Sequence, residues 1–416
     1  MSSTFASLRV PNYRLWFGAA LVANVGTWMQ RIGQDWLVLT MLTNNSGAAM
    51  GIVTALQFLP FILLSPYAGI LADRLPRRRL LMATQSASGL LALILGVMTL
   101  SGVVALWHVY VLAGLLGMVT AIDTPVRQAF VGNLVGADLL PNAVGLNSAS
   151  FNAARMIGPG ISGLLIALVG PGIVFLINGA SFAATVAALA FMSVSKLVPQ
   201  PVMDRNVKTT RQLRQAFTYL KHRPDALLIM VLMSLVSLFA FNFQIVNALM
   251  ARVEFGKGAA EFGIVGSVMG IGSLAGALLA ARREHPRVLT VIQAGLGLAA
   301  ALAFAAIMPN YITYIIATIP LGFTSLTMMT AANATLQIGT PPELRGRVMA
   351  LYMMFFQGVT PIGAMLLGWI GEHYEPRMSL VIGSVGVAAA CTAAVLWTNH
   401  RYSGRFALRE LLLRHA

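Results

Sequence analysis

Twelve predominantly apolar stretches, each long enough to cross a bilayer as a helix, limit what this chain can fold into more than any other feature. A helix rises about 1.5 Å per residue, so a hydrocarbon layer of about 30 Å needs about 20 apolar residues. The stretches run over 15–41, 48–72, 79–101, 105–127, 141–168, 172–195, 226–250, 261–281, 288–308, 311–338, 345–371 and 377–398. None shows the period-two alternation of a barrel strand, and a backbone in lipid must satisfy its own polar groups. The expected fold class is an all-α integral membrane protein with 12 transmembrane helices. Of the 416 residues 57% are hydrophobic and 10% charged, against about 25% charged in soluble domains. That excludes a water-soluble enzyme and, equally, a disordered chain. Arg14 leads straight into a stretch of full membrane length, so a first helix that is retained is expected in place of a cleaved signal.

Lysine and arginine set the orientation. With both termini in the cytoplasm, 23 of the 28 basic residues fall on the inner side, only Arg252, Lys257 and Arg377 fall outside, and Arg31 and Arg155 lie within spans. This asymmetry is what cytoplasmic loops require, and it accounts for the net charge of +15 without nucleic acid. The expected location is the cytoplasmic membrane, multi-pass. Cys391 is the single cysteine and sits in an apolar run, where it reads as a packing residue; no metal site is expected.

The longest polar interval follows the sixth stretch and divides the chain into two six-helix bundles, 1–195 and 226–398, joined by a basic linker, 196–225, and followed by a basic tail, 399–416. In the linker, Leu213, Phe217 and Leu220 recur at helical spacing opposite Arg211, Arg214 and Lys221. This is either an amphipathic helix on the inner surface or a solvated connection. The halves echo each other. Gly69-Ile70-Leu71-Ala72-Asp73-Arg74, followed by Arg77, Arg78 and Arg79, has a weaker counterpart in Gly276 to Arg283. Gly158-Pro159 in the fifth stretch has one in Pro361-Ile362-Gly363 of the eleventh. A parallel duplication, two pseudo-symmetric bundles, is implied.

These motifs carry a resemblance. The segment from Gly69 through Asp73 to Arg79 closely resembles the best-known signature of the major facilitator superfamily. Arg155-x-x-Gly158-Pro159-x-x-x-Gly163 is similar to a shortened form of the signature associated with its proton-coupled exporters. Asp123-Thr124-Pro125-Val126-Arg127, with Asn142 to Asn147 after it, resembles the branch of enterobactin exporters and drug efflux pumps. The resemblance implies a gating motif of Gly69, Asp73, Arg74, Arg77, Arg78, Arg79, Asp123 and Arg127. In it Asp73 meets the start of the eleventh helix, the arginines approach Asp123, and the contacts break and reform. Read from the residues alone, the same loop is also a positively charged topological anchor. Gly158, Pro159 and Gly163 form a kinked, narrow-faced segment, either an interface that seals one vestibule or ordinary small-residue packing.

Charges within the spans are the remaining signal. Arg31 and Asp35 lie four apart on one helical face, and a lone charge at depth costs at least about 2.5 to 3.5 kcal/mol on insertion scales, so both should line a cavity or its mouth. Asp35 lies about 30 Å along its helix, toward the outer surface. The two are proton-coupling candidates or a static packing pair. Arg155 can attract an anionic substrate or pair with a carboxylate such as Asp35. Trp28, Gln57, Asn147, Arg155, Asn242, Gln244 and Gln357 are the substrate-cavity candidates, a lining suited to a bulky, partly apolar cargo.

The chain has no phosphate-binding G-x-x-x-x-G-K-[ST] loop, zinc-hydrolase H-E-x-x-H or nucleophile-elbow G-x-S-x-G pattern. No enzyme, catalytic residue or cofactor is expected, and the energy source left is an ion gradient. The expected function is export of amphipathic small molecules, drug-like or siderophore-like, by proton-coupled alternating access in a monomer. Import or uniport of a metabolite, and a non-transporting receptor or assembly protein on the same scaffold, stand as alternatives.

Overall fold

The computed structural model describes residues 3–198, 217–281 and 287–401. Most of the expected linker, Arg282 and Arg283, and the tail from residue 402 lie outside the described residues, as do the side chains of Gly69, Asp73 and Arg74. Every described element is helical: α1 (Pro11–Trp36), α2 (Gly47–Arg74), α3 (Arg77–Leu100), α4 (Leu106–Leu134), then a segment Leu140–Phe191 broken at Gly170 into α5 (140–169) and α6 (171–191). After the linker come α7 (Pro224–Phe239), α8 (Phe243–Leu249), α9 (Ala259–Ala281), α10 (Val288–Ala306), α11 (Tyr311–Ile338), α12 (Pro342–His373) and α13 (Pro376–Arg401).

Local chemistry explains the boundaries. Gly170 takes φ 78°, a left-handed conformation that side chains resist, and Pro171 restarts the helix with its φ already fixed. Asn310 caps α11 by accepting the Thr313 amide at 3.0 Å. The seventh apolar stretch, expected as one helix over 226–250, is instead interrupted at 240–242, where Asn242 has φ −100° and ψ 37°. The Asn242 amide donates to the Ser237 carbonyl at 3.3 Å and so replaces a ladder bond that the break removes. The first stretch and the seventh both finish in π-helical turns, Leu37–Leu42 and Met250–Glu254, a shared irregularity between the two halves.

Among the described residues, ten helical segments are long and apolar enough to cross a membrane. Leu140–Phe191 counts once among them although Gly170 divides it, and α1, which carries Arg14, Arg31 and Asp35, is not among them.

Two compact units result. The first comprises 1–44, 56–205 and 258–267; the second comprises 45–55, 206–257 and 268–416. Each therefore includes the opening turns of one helix whose remainder lies in the other. In the first unit α1 is largely buried, and glycines let neighbours approach it: a Cβ on Gly26 would lie 2.6 Å from Ser181 Oγ, and one on Gly33 3.0 Å from the Phe175 ring. Tyr13, Trp16, Leu81, Val126 and Phe130 form a core below them. In the second unit, Gly386 of α13 accommodates the Phe239 ring, and Cys391 is buried against Gly295. Arg223 forks onto Asp225 at 3.0 and 2.7 Å and donates to the Gly339 carbonyl at 2.8 Å, tying the entry of α7 to the end of α11. The hydrogen bond to Asp225 raises the Arg223 guanidinium above its ordinary pKa.

Candidate functional site

The expected site residues fall into four groups. The first lies where α1 packs along α5. Tyr13 Oη donates to the Ala143 carbonyl at 2.8 Å and to Asn147 Oδ1 at 3.4 Å; farther along, Ser162 Oγ donates to the Met29 carbonyl at 2.8 Å. Between these contacts the Trp28 and Phe151 rings meet edge to face, centroids 5.8 Å apart, and Arg31 places its guanidinium 5.1 Å from the Trp28 ring. Arg31 lies within electrostatic reach of both Asp35 and Arg155. Asp35 is only 8% exposed, yet among the described residues no ion pair and no hydrogen bond reaches its carboxylate. The four-residue spacing thus brings Arg31 and Asp35 to one face without closing a salt bridge. Gln57 Nε2 donates to Gln34 Oε1 at 3.4 Å, a bond from α2 to α1 beside this group.

The second group lies where α3 meets α4 and α6. Asp123 is buried, and its carboxylate accepts from Thr84 Oγ1 at 2.6 Å, Gln85 Nε2 at 2.8 Å, and Arg127 Nε and Nη2 at 2.9 and 2.6 Å. Burying a carboxylate is costly unless it is paired and hydrogen-bonded, and here it is both. Arg77 donates to Asn133 Oδ1 at 3.0 Å near the end of α4, and Arg78 donates to the Leu189 and Ala190 carbonyls at 2.6 and 2.9 Å at the end of α6. Unpaired carbonyls at a helix C-terminus favour such a cation. Arg79 is exposed.

The third group is a pair of seams. In the first unit, Gly158 sits against α1, where a Cβ would come 2.7 Å from Trp28 Cβ, while Pro159 and Gly163 sit against the opening turns of α9. A Cβ on Gly163 would lie 2.5 Å from the Ala259 carbonyl oxygen and 2.9 Å from Gly263 Cα. In the second unit the opening turns of α2 pack on α12 in the same manner: a Cβ on Gly51 would lie 2.7 Å from both the Ala364 oxygen and Met365 Cα, and Gly47 faces Gly368. Glu372 accepts from Ser46 Oγ at 2.8 Å and from the Ala48 amide at 2.9 Å, which caps α2.

The fourth group surrounds the break between α7 and α8. Phe241 meets Phe356 edge to face at 5.3 Å, and Phe356 stacks on Tyr352 at 5.9 Å. Gln244 Nε2 and the Tyr352 hydroxyl are buried without hydrogen-bond partners among the described residues. Gln357 reaches Met353 Sδ at 3.8 Å, and Ser237 and Thr360 share a hydroxyl contact at 2.9 Å. A broken helix at this depth is tolerated where it is buried in protein or lines a cavity.

Sequence reasoning missed Thr84 and Gln85, which bind Asp123; Phe151, one helical turn before Arg155; Tyr314, whose hydroxyl donates to Asn247 at 2.7 Å; and Glu372. Only Glu372 left a signal, an acid immediately after the eleventh apolar stretch, 345–371.

The family model described as transmembrane secretion effector matches residues 2–402. The staphyloferrin A transporter of Staphylococcus aureus is 25% identical over 390 residues, which span 93% of this chain and 96% of that protein. The multidrug efflux pump Tap of Mycolicibacterium fortuitum is 28% identical over 370 residues, 85% of this chain and 88% of Tap. The enterobactin exporter EntS of Salmonella typhi is 25% identical over 324 residues, 77% of this chain and 76% of EntS. Among solved structures, a bacterial homologue of the human lysosomal transporter Spinster, inward-facing and unoccupied, superposes with a TM-score of 0.71 at 12% identity, covering 97% of this chain and 98% of its own. The nucleoside transporter NupG gives 0.69 at 14% identity, covering 92% and 98%.

Proposed function

Because the chain belongs to the transmembrane secretion effectors of the major facilitator superfamily, multi-pass membrane transporters with efflux relatives, we propose that it exports amphipathic small molecules across the cytoplasmic membrane in exchange for protons. The proposal includes alternating access, a monomer, no cofactor beyond the proton gradient, and twelve crossings with both termini inside. The crossing count is supported by the ten apolar segments, the division at Gly170 and the membrane length of α1. Bundles at 1–195 and 226–398, a linker at 196–225 and a tail at 399–416 complete it.

The observation that carries the coupling is Asp35: a buried carboxylate on a central helix, beside Arg31, whose oxygens are committed to no donor among the described residues. Such a group can take up and release a proton without first breaking a bond. The segment from Gly69 to Arg79, with Asp123 and Arg127, acts as the inner gate in this reading, and Gly158, Pro159 and Gly163 as part of the outer one.

The test is transport by the full chain in proteoliposomes under an imposed pH gradient, with ethidium as a first cargo and a wider panel of amphipathic compounds after it. Coupled export predicts cargo movement that follows the gradient and dissipates it, abolished in Asp35→Asn and slowed at least tenfold in Asp73→Asn. Cargo movement indifferent to the gradient removes the coupling. Accumulation toward the cytoplasmic face replaces export with import.

A further inference from the structure

The charges in the first unit do not balance around α1 and α5. Arg31 and Arg155 are near each other, and among the described residues Asp35 is the one carboxylate within electrostatic reach of Arg31. The other described acids of the unit are occupied or far away. Asp123 is held by Thr84, Gln85 and Arg127, Glu261 accepts the Gly258 amide at 3.1 Å, and Asp138 lies just before α5, more than four turns ahead of Arg155, about 25 Å of helix. Arg31 thus lies between a second guanidinium, Arg155, and one carboxylate, Asp35, and among the described residues none of the three closes an ion pair. Such charges facing lipid would each cost at least about 2.5 to 3.5 kcal/mol, so this face turns away from lipid, toward the bundle interior.

The register of the helices places a ring floor next to the charges. Trp28 lies three residues before Arg31 and Phe151 four before Arg155, so each ring and its arginine share a helical face, and the rings meet at 5.8 Å. Phe151 is 49% exposed, which leaves much of its surface uncovered by protein. The guanidinium of Arg31 already lies over the Trp28 ring.

We propose that Arg31 and Arg155, beside the Trp28 and Phe151 rings, bind the acidic end of the cargo, so that the exported class is aromatic organic anions. This rests on the export reading above and names its substrate class. Guanidinium groups donate to carboxylate or sulfonate oxygens through a planar fork, and the paired rings offer an edge and a face to an aromatic body.

The experiment is calorimetric titration of the full chain in lipid nanodiscs with 2-naphthoate, 2-naphthylmethanol and 2-naphthylmethylammonium, which share a ring system and differ in charge. Naphthoate is expected to bind at least tenfold more tightly than the other two. R31Q and R155Q are expected to abolish that preference, R155K to keep part of it, and F151L to weaken all three ligands alike. Equal binding of the three, tighter binding of the ammonium, or an undiminished naphthoate preference in both arginine variants overturns the inference. If R155Q fails to fold, R155K and R31K decide, since a charge kept without its fork must lower naphthoate affinity. Export of ethidium or other uncharged and cationic compounds without selective naphthoate binding leaves the export reading intact and removes this inference. Selective binding without movement of any cargo does the reverse.

Discussion

Two helix seams, one in each compact unit, are built on the same contact and finished differently. In the first, Pro159 and Gly163 of α5 let the opening turns of α9 approach backbone to backbone; in the second, Gly47 and Gly51 of α2 do the same against α12. The starts of α9 and α2 then part ways. Glu261, in the first turn of α9, accepts the Gly258 amide, so that helix start is closed by its own acid. The start of α2 is closed by Ser46, which accepts the Ala49 amide at 3.1 Å, and by Glu372 from the helix on which it packs. Close approach is thus the shared requirement, while capping is local in one seam and coupled to the crossing in the other. Parting α2 from α12 uncaps α2; parting α9 from α5 leaves α9 capped.

The largest effect tests the shared part. Gly163→Val and Gly51→Val each drive a branched side chain into backbone atoms that cannot turn aside, at 2.5 and 2.9 Å in the first seam and 2.7 Å in the second. Overpacking of this kind costs about 1–3 kcal/mol or more. Both variants are expected to lose at least tenfold in cargo movement and to melt at lower temperature in detergent. Full tolerance of one and failure of the other breaks the equivalence of the seams.

How much of this was legible beforehand depends on the range of the interaction. The apolar stretches fixed the helices closely: the tenth was expected over 311–338 and α11 spans Tyr311–Ile338. The fifth and sixth stretches, expected over 141–168 and 172–195, part at Gly170 and Pro171, which both act within one or two residues. The interruption at 240–242 carries neither proline nor glycine; it is maintained by a side-chain bond from Asn242 to Ser237 in a run that reads as continuously apolar, so hydropathy passed over it. Asp123 and Arg127, four residues apart, share a helical face and pair within it, but Thr84 and Gln85 come from another helix, and their register follows from packing that a single sequence does not display. Glu372 on α2 joins residues 326 apart. Its partners are the Ser46 hydroxyl and the Ala48 backbone amide, and every helix start has such amides.

The next effect separates the capping schemes. Glu372→Ala removes the acceptor for Ser46 Oγ and the Ala48 amide together. Because the carboxylate is exposed, the loss should be no more than about 1 kcal/mol and should shrink in high salt. Hydrogen exchange is expected to quicken at the amides of 47–50 and at the facing turn of α12. Glu261→Ala should act more weakly and quicken exchange in the first turn of α9 alone, leaving α5 as protected as before. If α5 loses protection as well, capping is coupled to the crossing in both seams and the distinction between them falls.

The smallest effect belongs to Gly160→Ala, within the first seam and three residues from Gly163. A Cβ there would meet Ser267 Oγ at 2.7 Å, with Ser267 Cβ already at a comfortable 3.6 Å. The hydroxyl is the far end of a rotatable side chain, and it is buried without a hydrogen-bond partner among the described residues, so turning it away breaks no bond with them. Alanine also recovers about 0.8–1.0 kcal/mol of helix propensity over glycine, which offsets the local adjustment. Melting temperature and cargo movement should stay near those of the unmodified chain. A loss comparable to that of Gly163→Val would mean that the whole face of α5 from Gly158 to Gly163 is held against rigid neighbours, and that the requirement for glycine reaches past the points where backbone meets backbone.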